Sequence, residues 1–282
     1  LVTIQSDKEA QYSILRVLYK HDIVTEKNTL YYRENLLEEL YNSMMSARLQ
    51  ELLLTDNPPF IYADSRYTNL VRTKDAYESF VVTQDDKMEK GLETVLIENE
   101  RVRKYGFHES ELERAKKEMF SSMEKLYNER EKQESVNYVW KYYGHFLEDE
   151  PVPGIAFDYE FLKKVLPGIG LFEINELAGE WITDRNRVVV IMAPEKEGLI
   201  LPTEEKILEI IAGVNDLSIE PYVDNVSDEP LLAVEPVPGP VQKEKKLKEL
   251  DAVSWSFANG IKVVLKPTEF KDDEIRMTAY SL

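Results

Sequence analysis

The sequence contains no cysteine. Disulfides, thiol nucleophiles and thiolate-bound metals are thereby excluded, and a cytoplasmic or a periplasmic setting is compatible with their absence. Histidine is scarce: His21, His108 and His145 are the only three. A hydrolytic zinc site needs three protein ligands, usually including two histidines one helical turn apart. No two of these histidines lie within four residues of each other. Basic residues are also short, with 35 Lys and Arg against 53 Asp and Glu, a formal net charge of −18. That balance opposes broad nucleic-acid binding, which needs clustered cations to displace counterions, and it opposes docking on anionic membranes. No apolar run reaches the roughly 18 residues of a membrane-spanning helix. Nucleotide-binding patterns (Gly-x-Gly-x-x-Gly, Gly-x-x-x-x-Gly-Lys-Ser/Thr) and the Gly-x-Ser-x-Gly elbow do not occur. Asp85-Asp86-Lys87 lacks the alternation of a calcium loop.

What is present is a globular composition. Of 282 residues, 43% are hydrophobic, enough to build a sizeable core. Residues 1–5 and 12–19 are β-rich. From Asn28, Leu37, Leu40, Tyr41, Met44, Met45, Leu49 and Leu52 recur at helical spacing, and Asn57-Pro58-Pro59 stops that helix. Two strand-like runs, 60–71 and 76–83, flank Arg72-Thr73-Lys74-Asp75 and read as an antiparallel pair. Asp85-Asp86 then reads as the cap of a helix that Gly106 ends. His108-Glu109 opens what reads as one long helix to Leu147, with shorter helices at 158–166 and 171–182. The β-branched run Arg187-Val188-Val189-Val190-Ile191 is a buried strand, and Thr203 starts a helix to Val214.

Beyond residue 220 the composition changes. Pro221, Pro230, Pro236, Pro238 and Pro240 mark an extended linker. Asn259-Gly260 then sits between strand-like runs as a tight-turn signal, and a further strand is expected at Glu274–Tyr280. The reading is α+β: a mostly antiparallel sheet of about four to six strands packed against long helices over 1–219, a linker over 220–251, and a hairpin opening a new unit over 252–282. Both ends fall in strand-like sequence, so the chain is expected to be a piece of a longer polypeptide whose first strands are missing.

The candidate substrate-facing residues are Arg72, Lys74 and Tyr77, where the two strands of the antiparallel pair meet. One reading is a charged turn; the other is an Arg fork reaching a carbonyl or acidic group.

Four strings together resemble a known family. They are Leu40-Tyr41-Asn42-Ser43-Met44-Met45-Ser46-Ala47-Arg48-Leu49, Leu70-Val71-Arg72-Thr73-Lys74, Tyr105-Gly106-Phe107-His108-Glu109-Ser110-Glu111-Leu112-Glu113-Arg114-Ala115-Lys116, and Phe257-Ala258-Asn259-Gly260-Ile261-Lys262-Val263-Val264. In that order they resemble the non-catalytic module of insulinase/pitrilysin-type (inverzincin) zinc metallopeptidases. The resemblance implies four related α+β modules in two halves that close around a chamber, with zinc held in the first module. This chain then corresponds to the second module, the inter-half linker and the start of the third. It implies no zinc and no other cofactor in this segment, zinc in the parent enzyme, peptides or unfolded polypeptides as partners, and the catalytic module of the same chain as a neighbour. In the family, the corresponding module of the second half presents toward the active site an Arg followed seven positions later by a Tyr. Arg72 matches, but Ser79 occupies the later position and Tyr77 comes two residues early, so the resemblance implies a chamber wall rather than a catalytic contribution. The alternative is a catalytically dead scaffold or peptide-binding subunit on the same module. A third reading, a helical adaptor, requires the apolar stripe of 109–147 to be exposed.

Overall fold

The computed structural model describes residues 1–183, 185–226, 229–230, 232–270 and 274–281. The first two strands are β1 (Val2–Asp7) and β2 (Ser13–Asp22). Helix α1 (Thr29–Glu51) starts where Asn28 Oδ1 accepts from the amides of Leu30 (2.8 Å) and Tyr31 (3.3 Å), satisfying two otherwise unpaired donors. Strands β3 (Tyr62–Val71) and β4 (Lys74–Thr83) form the expected antiparallel pair. Helix α2 (Met88–Tyr105) ends at Gly106, whose φ of 71° is costly for any side-chain-bearing residue.

Next come α3 (Glu109–Asn128), α4 (Ser135–Glu148), α5 (Ile155–Val165) and α6 (Leu171–Trp181). Strand β5 (Arg187–Pro194) and α7 (Glu204–Asp216) complete the main body. Its sheet has five strands in the order β1-β5-β2-β4-β3. All neighbours are antiparallel except β1 and β5, which pair in parallel from Val2–Val189 to Asp7–Pro194. The mixed α+β reading and the expected strand count therefore hold.

Alternation assigns the two sheet faces. Leu15, Val17 and Tyr19 of β2, Tyr77 and Val81 of β4, and Val189 and Ile191 of β5 join the core with residues of all the main-body helices except α4. Their neighbours Ile14, Arg16, Phe80, Val82, Val188 and Val190 point the other way and belong to no part of that core.

Several expectations are corrected. The long helix over 109–147 is two helices, broken by a 3₁₀ turn at Arg130–Lys132. The break falls where Asn128 to Glu134 supplies no apolar residue to hold a helix face against the core. Asp85 and Asp86 do not cap α2; Lys87 is the N-cap residue, and Asp85 instead accepts from Ser13 Oγ (3.2 Å) and Lys196 Nζ (2.7 Å). Within the stretch read as linker, β6 (Val241–Leu247) is a strand. It pairs with β7 (Ala252–Phe257), which pairs with β8 (Lys262–Leu265) around Asn259-Gly260. Glu274–Tyr280, expected as a strand, has no regular structure, and residues 227, 228, 231, 271–273 and 282 of the linker and hairpin regions lie outside the described residues.

Candidate functional site

One open surface of the main body is the outer sheet face. Cross-strand register places Val190, Arg16, Phe80 and Asp64 in one row across four strands. Arg16 Nε donates to Glu78 Oε1 at 2.5 Å, and Asp64 pairs with Arg66 two residues along its own strand. Burial raises the Asp64 carboxyl above its usual range, partly offset by the Arg66 guanidinium. The face is thus apolar rows crossed by two internally neutralised ion pairs, suited to contact rather than to proton transfer.

Another is a cleft of about 450 Å³ at the end of the sheet, bordered by Tyr31, Glu38, Tyr67, Arg72, Asp75 and Glu148. Helix α1 contributes Glu38, and the β3–β4 turn with the start of β4 contributes Arg72 and Asp75. Burial, then the charges of Asp75, Glu34 and Glu39, push the Glu38 carboxyl up to about 7. Burial likewise raises Asp75, against the hydrogen bond from Asn69 Nδ2 at 3.1 Å. Tyr31 donates to Glu150 Oε1 at 2.9 Å, and its phenol is pushed up to about 12, chiefly by burial. Lys27 pairs with Glu150 and also donates to the Glu148 carbonyl at 2.8 Å.

Arg72 is exposed, borders the cleft and forms no ion pair among the described residues. Lys74 is at the same turn but pairs with Asp22 at the end of β2. Tyr77 is elsewhere: it is fully buried on the helical side of the sheet, where its hydroxyl donates to Asn99 Oδ1 at 2.8 Å and burial raises its phenol. Asn99 Nδ2 in turn donates to Ser79 Oγ (2.7 Å), which bonds Ser65 Oγ (2.8 Å). Tyr77 and Ser79 are thus parts of one core network. The structure brings Arg72 and Lys74 together and holds Tyr77 apart from them.

The histidines remain dispersed. His21 Nε2 lies 3.0 Å from the Trp181 carbonyl, His108 Nε2 3.0 Å from that of Tyr222, and His145 Nδ1 2.7 Å from that of Glu150. Among the described residues no three His, Asp or Glu side chains converge as metal ligands. These residues therefore do not fit a catalytic zinc ion.

Sequence reasoning missed one cluster. Arg48 is fully buried in α1 and makes a bidentate pair with Glu111, both bonds at 2.7 Å. It also reaches Glu98 at 3.4 Å and the Gly106 carbonyl at 3.1 Å. Phe107 and Tyr222 cover its two sides at 4.8 and 4.0 Å. The available signal was its position: Arg48 continues the apolar stripe of Tyr41, Met44 and Met45, where a cation requires a buried carboxylate.

No protein-family model matches the chain. A zinc protease PQQL-like protein of Arabidopsis thaliana is 25% identical over 279 residues, covering 98% of this chain and 26% of that protein. Among solved structures, the periplasmic protease PqqL of Escherichia coli superposes with a TM-score of 0.73 at 15% identity, covering 95% of this chain and 30% of PqqL. A predicted insulinase family protease from Yersinia pestis gives a TM-score of 0.65 at 13% identity, over 74% of this chain and 45% of that one. The chain thus spans about a quarter of the length of its curated relative. In sequence it is similar to a zinc protease PQQL-like protein, and in fold it is similar to PqqL and to an insulinase family protease. Among the described residues no helix is long and apolar enough to cross a membrane.

Proposed function

We propose that this chain is a non-catalytic, chamber-forming module of a zinc-dependent metalloendopeptidase acting on peptides. The observation that carries the reading is the contrast between a peptidase fold and its three dispersed histidines, each within hydrogen-bonding distance of a different backbone carbonyl. The zinc, and the activated water it supplies when bound, belong to another module of the same polypeptide. This chain offers a wall: the outer sheet face contacts peptide through its apolar rows, and Arg72, beside the cleft, supplies the free guanidinium at its end. Lys74 and Tyr77 contribute less directly, the first through Asp22 and the second through the core beneath the sheet. Residues 1–219 form the module, 220–251 lead to the next half, and 252–282 begin the module after it. Peptides and unfolded polypeptides are the substrates, and a periplasmic setting is favoured over a cytoplasmic one.

The test compares the 282-residue chain with the longer polypeptide that contains it. Zinc by elemental analysis and cleavage of a quenched fluorescent peptide are expected in the longer polypeptide alone. Stoichiometric zinc or peptide cleavage in the 282-residue chain, freed of contaminating proteases, overturns the proposal. A longer polypeptide with neither property overturns it in favour of a dead scaffold.

A further inference from the structure

Helix α4 reads Ser-Val-Asn-Tyr-Val-Trp-Lys-Tyr-Tyr-Gly-His-Phe-Leu-Glu, and not one of its residues is buried. Val139, Tyr142, Tyr143 and Phe146 recur at i, i+3, i+4 and i+7, so they stand on one side of the helix. They are 58, 60, 53 and 84% exposed. The opposite side is the one fastened to the body. Lys141 pairs with Asp158 at 3.5 Å, and Gly144 borders a cavity of about 360 Å³ beside Phe161 and Pro153. The apolar seam therefore points away from its own module. At the usual 150–250 Å² per aromatic side chain, it leaves roughly 500 Å² uncovered. That matches the largest apolar patches of monomeric proteins, which are often functional, and is more than half of the ~800 Å² each partner gives to a standard interface.

We propose that this seam docks into an apolar groove with a basic rim, carried by another module of the same polypeptide. The spacing is the anchor pattern of a helix laid into a hydrophobic groove. Relatives with this fold supply the occupant, because the chain covers only 26% of the Arabidopsis protein and 30% of the Escherichia coli one. Charge argues against the other candidates. Before the helix, Glu131 is paired with Arg130 beside Lys132, which leaves Glu134 next to its start, and Glu148 and Asp149 end it, so acid predominates at the two ends of the seam. With a net charge of −18, a second copy and an anionic bilayer are both opposed by like-charge repulsion. A tethered module needs little intrinsic affinity, since its effective concentration is in the millimolar range.

The proposal rests on the reading that this chain is one module of a longer polypeptide, but its test uses neither zinc nor peptide cleavage. Amide exchange over α4 is measured in the 282-residue chain and in the longer polypeptide, each with and without the double substitution Tyr142→Ser/Phe146→Ser. The expected result is exchange at least about 10-fold slower in the longer polypeptide, lost in the double variant, while the melting temperature of the 282-residue chain is unchanged. Equal exchange in both proteins overturns the proposal. So does micromolar dimerisation of the 282-residue chain in sedimentation that the double variant abolishes, which assigns the seam to a second copy. Variant-sensitive retention on phosphatidylglycerol vesicles also overturns it, assigning the seam to lipid. A longer polypeptide lacking zinc and peptidase activity but protecting α4 leaves the docking intact while refuting the peptidase reading.

Discussion

Helices α1 and α4 are both rich in aromatic and aliphatic residues, yet they occupy opposite environments. In α1 the side chains of Leu37, Leu40, Tyr41, Met44, Met45 and Leu49 are buried against sheet and helices, and even Arg48 is enclosed. In α4 nothing is buried, although four of its 14 positions are tyrosine or tryptophan and a phenylalanine follows them. Composition alone does not distinguish them. Position does: α1 joins two strands of the same sheet and must cross its face, whereas α4 follows a polar break and meets the body through Lys141, Gly144 and the Glu148 carbonyl. A buried stripe stabilises the module that carries it; an exposed one is available for another surface.

This contrast can be broken at either end. The largest expected effect is Arg48→Ala, which leaves Glu98 and Glu111 buried without their shared cation. Loss of one partner of such a cluster costs about 3–5 kcal/mol, and urea unfolding followed by circular dichroism is expected to show a loss of that order. Met45→Ala, in the same helix, removes fully buried volume and is expected to cost about 2–4 kcal/mol in the same assay.

Glu38→Gln tests α1 where it meets the cleft. The folded Glu38 carboxyl is raised to about 7 from a usual 4.5. The protonated form is therefore favoured by folding, and stability present below pH 4.5 is lost as pH rises towards 7. The glutamine variant removes this loss. At pH 8 it is expected to be more stable than the parent by about 1–2 kcal/mol, after allowance for solvent screening, and at pH 4 to differ little. A variant equally stable or weaker at pH 8 shows that the cleft does not strain this carboxylate.

The smallest effect is expected at Tyr142→Ser in α4. In the 282-residue chain it should change unfolding free energy by less than about 0.5 kcal/mol. A cost near that of Met45→Ala means that α4 is packed like α1 and erases the comparison.

The regular parts of the fold are legible in the sequence. Strand pairing of β3 and β4, the start of the helical pattern at Asn28, the stop at Gly106 and the strand at Val188–Ile191 follow from local signals that tertiary structure does not override. The split between α3 and α4 is hidden because no proline or glycine marks it; the break comes from the absence of apolar anchors between Asn128 and Glu134. Strand β6 is hidden because its run Lys243-Glu244-Lys245-Lys246 carries no apolar alternation, and only pairing with β7 makes it a strand. At the candidate site, Arg72 is identifiable from its place in a turn. The inward orientation of Tyr77 follows from strand parity with Ser79 and Val81, but the unbroken apolar run Phe80-Val81-Val82 does not reveal which face is buried. Arg48, Glu98 and Glu111 are far apart in the chain, and no local signal pairs them.

The position of β5 between β1 and β2 has a consequence for biosynthesis. Val2 finds its partner only when Val189 exists. At about 5–20 residues per second, the ribosome separates those two events by roughly 10–40 s, during which both β1 and one edge of β2 lack their β5 partner. A nascent chain of this design must therefore keep these unpaired borders from meeting other polypeptides until Val189 and its strand have been made.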